Sequence, residues 1–149
     1  MASSDIVDHG FKKLEKQLKK MAKMSVKTGI LSDAGSHEGG KTIAEIAAYN
    51  EFGTDRIPER PAHRDTFEKS RPKLKSDLIK SVDLVIEGKA TPDQVLNRIG
   101  AWYVGQLKKG VIAFDDPPNA PSTIRQKGSD NPLIDTGRTV NSINYTIEG

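Results

Sequence analysis

From Gly53 to Pro61 the chain reads GTDRIPERP, a glycine followed by two X-Pro pairs three residues apart. No other stretch constrains the fold as tightly. Each proline holds its own φ near about −65° and pushes the residue before it, Ile57 or Arg60, out of the helical region. Upstream, Ile43, Ile46 and Ala47 recur at helical spacing, with Ala44 and Ala48 beside them. That pattern predicts a helix over 41–52. Gly53 is expected to end it with a left-handed cap at little steric cost. An apolar helix therefore stops abruptly and hands over to a stiffened connector bearing Asp55, Arg56, Glu59 and Arg60. Gly53, Pro58 and Pro61 are its structural turn positions.

The flanking segments read as a mixed domain. Val7, Phe11, Leu14, Leu18 and Met21 form one apolar seam, so residues 1–24 are expected to be an N-terminal amphipathic helix, a peripheral arm. Ser3, Ser4 or Asp5 would cap it, and Gly10 inside the seam would weaken its first turn by about 1 kcal/mol. Ser25 to Leu31 alternates as a β-strand does, and a Gly/Ser/Asp-rich loop follows. A long helix is expected from Ala62 to Ile86, with a stripe of Leu74, Leu78, Ile79, Val82, Val85 and Ile86. Pro72 would kink it or mark its start. Gly88 stops this helix, and Thr91-Pro92-Asp93 starts another that reaches Gly110. Residues 115–133 form a long loop holding one short helical turn over 122–127, and 139–147 alternates as a final strand. Further strands are expected at 56–61 or 111–114. The sum is one α+β domain over 1–149, a small, mainly antiparallel sheet packed against two long helices.

Composition narrows the class. Hydrophobic residues make up 35% of the chain, charged residues 29% and aromatic residues 5%, which gives a lean core. Such a core suits a chain that completes its burial against a neighbouring subunit, or one with long loops. The net charge of +3 permits nucleic-acid contact without requiring it. With no cysteine there is no disulfide framework and no thiolate zinc site. The opening MASSDIVDHG lacks the basic and apolar regions of a secretory signal, and no apolar run approaches the ~20 residues that span a bilayer. The chain is expected to be made and used in a cytosol-like space, with no membrane partner.

No catalytic constellation emerges. Gly35 to Thr42, GSHEGGKT, satisfies the phosphate-loop pattern and lies between a strand and a helix. A nucleotide hydrolase also needs a carboxylate at the end of a neighbouring buried strand, and none is found. The segment is read as a flexible strand-to-helix loop. His63-Arg64-Asp65 matches the kinase tripeptide without its companions. His9, His37 and His63 are scattered without metal-ligand spacing. No catalytic, metal or cofactor-binding residue is assigned, and no enzyme is expected. Lys12, Lys13, Lys16, Lys19, Lys20 and Lys23 make either a solvated face or a phosphate-binding one. The latter gives the alternative reading, a small basic DNA-binding or packaging accessory protein. Finally, Asn50–Thr54 and Pro132–Arg138 each join an apolar anchor to a tight turn, with Gly137 supplying the unusual dihedral. They are either local turn chemistry or surface offered to another subunit.

Taken in order, Ala47–Thr54 (AYNEFGT within it), Ile57–Pro61 (IPERP), Ala120–Gly128 (APSTIRQKG) and Pro132–Arg138 (PLIDTGR) resemble a family of small tailed-bacteriophage structural proteins. These are the neck, tail-completion or virion-morphogenesis proteins. The resemblance runs from about Val26 to Ile147. The chain departs from the pattern at Ala62-His63, where the family carries an aromatic, and at Thr139, where it carries an apolar residue. The resemblance implies a non-enzymatic α+β subunit of the virion, assembled in the host cytoplasm as a homo-oligomeric ring of about six or twelve copies. Its partners would be connector, neck and tail proteins, with DNA passing through the lumen without sequence-specific binding. The contact residues would be Glu51, Arg56, Glu59, Arg60, Asp135 and Arg138, with Phe52 and Ile57 as apolar anchors beneath them. The loop 115–133 would be mobile in the free monomer and order on assembly.

Overall fold

The structure, a computed structural model, describes residues 8–36, 39–134 and 137–149. Its elements run α1 (Phe11–Met21), β1 (Ser25–Ile30), α2 (Ile43–Phe52), α3 (Ala62–Ile86), α4 (Pro92–Ile112), α5 (Pro121–Lys127), α6 (Arg138–Asn141) and β2 (Ile143–Glu148). The two strands join early and late parts of the chain. They pair antiparallel from Ser25 opposite Glu148 to Ile30 opposite Ile143. The fold is α+β: a two-stranded antiparallel sheet with long helices packed against it.

Helix α4 is the spine, with α3 on one side and both strands on the other. Thr91 starts it through a capping box: its hydroxyl accepts from Gln94 N while the Gln94 side chain accepts from Thr91 N. Toward its N-terminal end Val95, Leu96 and Ile99 pack with Val85, and Leu18 and Met21 of α1 close over them. Toward its C-terminal end Leu107 and Val111 pack with Ala62, Val140 and Ile143. Two modest clusters, threaded on one helix, thus make the core expected from a lean composition.

Close approach of α3 and α4 depends on small residues. The buried face of α3 carries Ala62, Thr66, Ser70, Ser81 and Val85. The Ser81 hydroxyl donates to Asp77 O at 2.7 Å, so its burial leaves no orphan donor. Opposite Thr66 stands Gly110, where a Cβ would overlap the Thr66 Oγ1. The apolar stripe read along α3 is therefore divided. Val85 is buried and Leu74 half-buried, whereas Leu78, Ile79, Val82 and Ile86 face solvent.

Several boundaries differ from the sequence reading. Gly110 lies inside α4, which continues to Ile112, so 111–114 adds no strand. Residues 56–61 are not a strand either, and the sheet has two strands among the described residues. Residues Arg138–Asn141 form a helical turn, and the final strand begins only at Ile143. α3 runs through Pro72 without a break in its assignment. α1 begins at Phe11, so Gly10 caps it instead of interrupting it, and Asp8 Oδ1 accepts from the N–H groups of Gly10 and Lys12. Ser3, Ser4, Asp5 and Val7 lie outside the described residues. Phe11 faces solvent, which leaves Leu14, Leu18 and Met21 as the seam.

Candidate functional site: the joint groove

The joint is locked by two buried ions from its own sequence. Glu51 lies in the last turn of α2 and is 8% exposed. Its carboxylate accepts from His63 N at 3.0 Å and from Arg64 N at 2.9 Å, the second and third residues of α3. Pro61 at the N-cap of α3 offers no side-chain acceptor, so Glu51 supplies the cap from across the joint. A carboxylate there also complements the positive end of the helix dipole. Arg64 answers with Nε to Glu51 Oε1 at 3.2 Å and Nη2 to the Glu51 carbonyl at 2.9 Å. It also pairs with Glu59, and that bond, ahead of those to Glu51, raises its pKa.

Arg60 is the second lock, at 6% exposure. Its Nε donates to Pro117 O at 2.9 Å and its Nη2 to Pro118 O at 3.2 Å. Nη2 also reaches Asn119 Oδ1, and Nη1 reaches Asn50 Oδ1, each at 3.4 Å. Burial lowers the Arg60 pKa from its ordinary value, but guanidinium remains charged in any protein. Planar donors in a fork suit this set of carbonyl acceptors, which a lysine could not match. The Arg60 N–H meanwhile donates to Asn50 O at 2.7 Å, tying the connector back to α2.

Between these locks lies an open groove of about 730 Å³. Its walls come from the end of α2, the joint, the loop around Pro118, α5 and the start of α6. All four sequence segments that carry the phage resemblance contribute to it: Asn50, Ile57, Thr123 and Arg138 are one lining residue from each. The loop 115–133 is not unattached in the single chain. Besides Arg60 it is held by Asn131, whose Nδ2 donates to Ile112 O at 2.7 Å and whose Oδ1 accepts from Leu133 N and Ile134 N at 3.0 Å each.

Burial at the joint inverts the expected order. Glu51 and Arg60, read as surface contacts, are inside, because backbone groups of α3 and of the loop need them. Phe52, read as an anchor beneath, is 68% exposed, with the Arg64 guanidinium 5.5 Å over its ring. Ile57 is half-buried, and Arg56, Glu59 and Arg138 are exposed. Asp135 lies outside the described residues. Gly53 has φ 72° and ψ 171°, an extended backbone of positive φ and not a left-handed helical cap. A Cβ there would also come within 3.0 Å of Glu59 N, so the fold-back needs glycine twice over. Pro58 is exposed, Pro61 takes the N-cap position of α3, and Gly137, at φ 76°, opens α6. Asn119 and Asn131 are not singled out by the sequence, and Arg64 is read there only as part of the kinase-like tripeptide. Only the Asn131-Pro132 dipeptide carries a turn signal that points to one of them.

No family model matches this chain, and no curated protein or solved structure does.

The remaining motifs are placed elsewhere. In the phosphate-loop pattern, Thr42 caps α2, and its N–H and hydroxyl both donate to Glu45 Oε2, at 2.7 and 2.9 Å. Glu45 thus occupies the helix N-terminus, and these bonds lower its pKa. Lys41 lies 4.9 Å over the Tyr49 ring. His37 and Glu38 lie outside the described residues. His63-Arg64-Asp65 is the first turn of α3 and not a loop. Burial lowers the His63 pKa, with the Glu51 charge opposing it. Burial, aided by the Glu51 charge, pushes the Tyr103 hydroxyl up to about 12. Among the described residues no group of three His, Cys, Asp or Glu side chains could hold a metal ion. No described helix is long and apolar enough to cross a membrane.

Proposed function

We propose that this chain is a structural subunit of a tailed-phage virion, working by assembly as a ring at the head–tail junction. The supporting observation is the convergence of the four resemblance-bearing segments on one groove. Groups held inside the chain fix its shape, and exposed side chains stand at its rim. Arg56 and Arg138, which line the groove, offer charges that set register with a neighbour, and exposed Phe52 and Glu59 lie in the adjoining sequence. Repeated head-to-tail, one such heterologous contact closes a ring. The neighbour's segment lies in the groove, and DNA passes through the lumen.

The test is deletion of the coding sequence from its phage, followed by electron microscopy of the particles. Separated heads and tails are expected, and wild-type chain supplied in trans should rejoin them. A Phe52→Ala/Arg56→Glu/Arg138→Glu chain should keep its thermal midpoint yet fail to rejoin them. Normally joined particles without the chain would sink the reading.

The basic-protein alternative has one observation in its favour. On and beside α1, Lys12, Lys13, Lys16 and Lys23 are exposed and have no ion pair among the described residues. By contrast, Lys19 pairs with Glu15 and Lys20 with Asp93. Duplex binding that falls steeply with salt, and is lost in Lys12→Glu/Lys16→Glu/Lys23→Glu, would favour it. Binding unchanged by that reversal counts against it.

A further inference from the structure

The two edges of the sheet differ in what their backbone groups have to bond with. Continuing the strand register one pair past Ser25 and Glu148 sets Met24 opposite Gly149, and a Cβ on Gly149 would come within 2.7 Å of Met24 Cα. So close an approach belongs to a pair that exchanges no ladder bonds. The two kinds of pair alternate along the strands. Ser25, Lys27 and Gly29 therefore exchange bonds with β2, while Val26, Thr28 and Ile30 turn their N–H and C=O groups outward. Their opposites on β2 do likewise, and there the central outward N–H is already taken: Tyr145 N donates to Asn144 Oδ1 at 2.9 Å. On β1 the outward groups of Val26, Thr28 and Ile30 have no partner among the described residues. Neither proline nor a charge stands among these three, and Lys27 between them is committed to Glu148 at 2.7 Å. Such an edge is a template for another strand.

We propose that the strand it takes is β1 of a second copy of this chain, antiparallel to the first about a twofold axis at Thr28. What identifies the occupant is that the edge complements itself. With Thr28 opposite its own copy, Val26 stands opposite Ile30, and every outward N–H and C=O of the three residues finds a partner. Moving the axis to Lys27 or to Gly29 sets Ile30 against Met24 or Val26 against Ser32, both outside the strand. Met24 N is moreover spent on Met21 O. An axis at Lys27 would also oppose two ammonium groups, which is repulsive. In the Thr28 register each Lys27 lies opposite Gly29, which has no side chain to oppose it, and keeps its own Glu148. Val26 and Ile30 belong to the half-buried row that packs toward α4, and directly opposed residues share a face. The row therefore runs on across the junction, and one continuous sheet carries both copies of α4 on the same side. The contact is isologous, uses a surface other than the joint groove and does not rest on the ring reading.

In analytical ultracentrifugation the wild type should dimerise with rising concentration. Amide exchange of the same samples should then slow at Val26, Thr28 and Ile30, whereas Lys27 and Gly29, bonded to β2, should be slow at every concentration. Thr28→Pro removes an outward N–H and no ladder bond, so it should abolish the dimer with its circular dichroism and thermal midpoint kept. The chain has no cysteine, so an introduced one carries a label alone. Nitroxides on Ser25→Cys should stand about 20 Å apart in the dimer, six residues of offset along paired strands. An axis at Lys27 would bring them to about 14 Å and one at Gly29 would part them to about 27 Å. A wild type monomeric throughout, exchange at Thr28 independent of concentration, a Thr28→Pro chain that dimerises like wild type, or a label distance fitting either other axis would each overturn the proposal. Each of these outcomes leaves the neck reading standing, since that reading rests on the groove and on head–tail joining.

Discussion

Arg64 and Glu51 are joined at both backbone and side chain: the Arg64 N–H and Nε donate to Glu51 Oε1, and Arg64 Nη2 donates to the Glu51 carbonyl. The last turn of one helix is thereby bonded to the first turn of the next, with the whole proline connector looped between them. Removing the buried Glu51 carboxylate takes the acceptor from the His63 and Arg64 N–H groups, whereas the exposed Arg64 guanidinium can turn to water. Glu51→Ala should therefore cost about 3 kcal/mol, read from the urea midpoint. Glu51→Gln keeps one acceptor oxygen and should cost about half as much. Equal midpoints for Glu51→Ala and wild type would refute the cap.

The Arg60 fork predicts a local effect on a remote loop. Arg60→Lys should fail to hold the carbonyls of Pro117 and Pro118, whose partners are two separate guanidinium nitrogens. Amide exchange and limited proteolysis over 115–133 should both speed up, while exchange in α4 stays slow. Unchanged protection of that loop in Arg60→Lys would show that Arg60 does not anchor it.

Gly110 and Thr66 form a point of close approach between the long helices. A methyl group at Gly110 overlaps the Thr66 hydroxyl. Gly110→Ala should cost about 2 kcal/mol in spite of alanine's better helix propensity. Thr66→Ala removes the clashing oxygen, so the double variant should recover most of the loss. A double-mutant cycle measures this coupling. Additive effects would mean that the two residues are not in contact.

Protonation of His63 should destabilise the fold. Its folded pKa is lowered below the ordinary 6.5, chiefly by burial. The unfolded chain then binds more protons in the window below about pH 6.5, so stability rises with pH through that window. The contribution is complete above the unfolded value and is lost as pH falls toward the folded one. Urea midpoints between about pH 7.5 and 5 should fall for wild type and flatten for His63→Gln. Parallel curves would remove His63 from the account.

Local chemistry was legible wherever a residue acts on its own neighbours. Thr91-Pro92 opened α4, Gly128 closed α5, and the span Ala62–Ile86 emerged as one helix. Hydrophobic spacing over many turns and a capping residue next to its helix are signals within a few positions of their effect. The groove was legible only as four separate segments. Nothing in their spacing says that they share one wall, since contacts such as Arg60 to Pro117 join residues distant in sequence.

The sequence by itself determined that a stiff, charged joint follows a short helix, that two long helices come next, and that the chain carries no cysteine chemistry. Only the tertiary structure decided which charges of the joint are inside. Glu51 and Arg60 are drawn in as partners for the N–H groups at the start of α3 and for the carbonyls of Pro117 and Pro118. It also decided which side of α3 meets α4. Close packing against Gly110 selects the small-residue face, and the larger apolar side chains are left to solvent. Periodicity identifies the faces of a helix, but the shape of the neighbouring helix chooses between them.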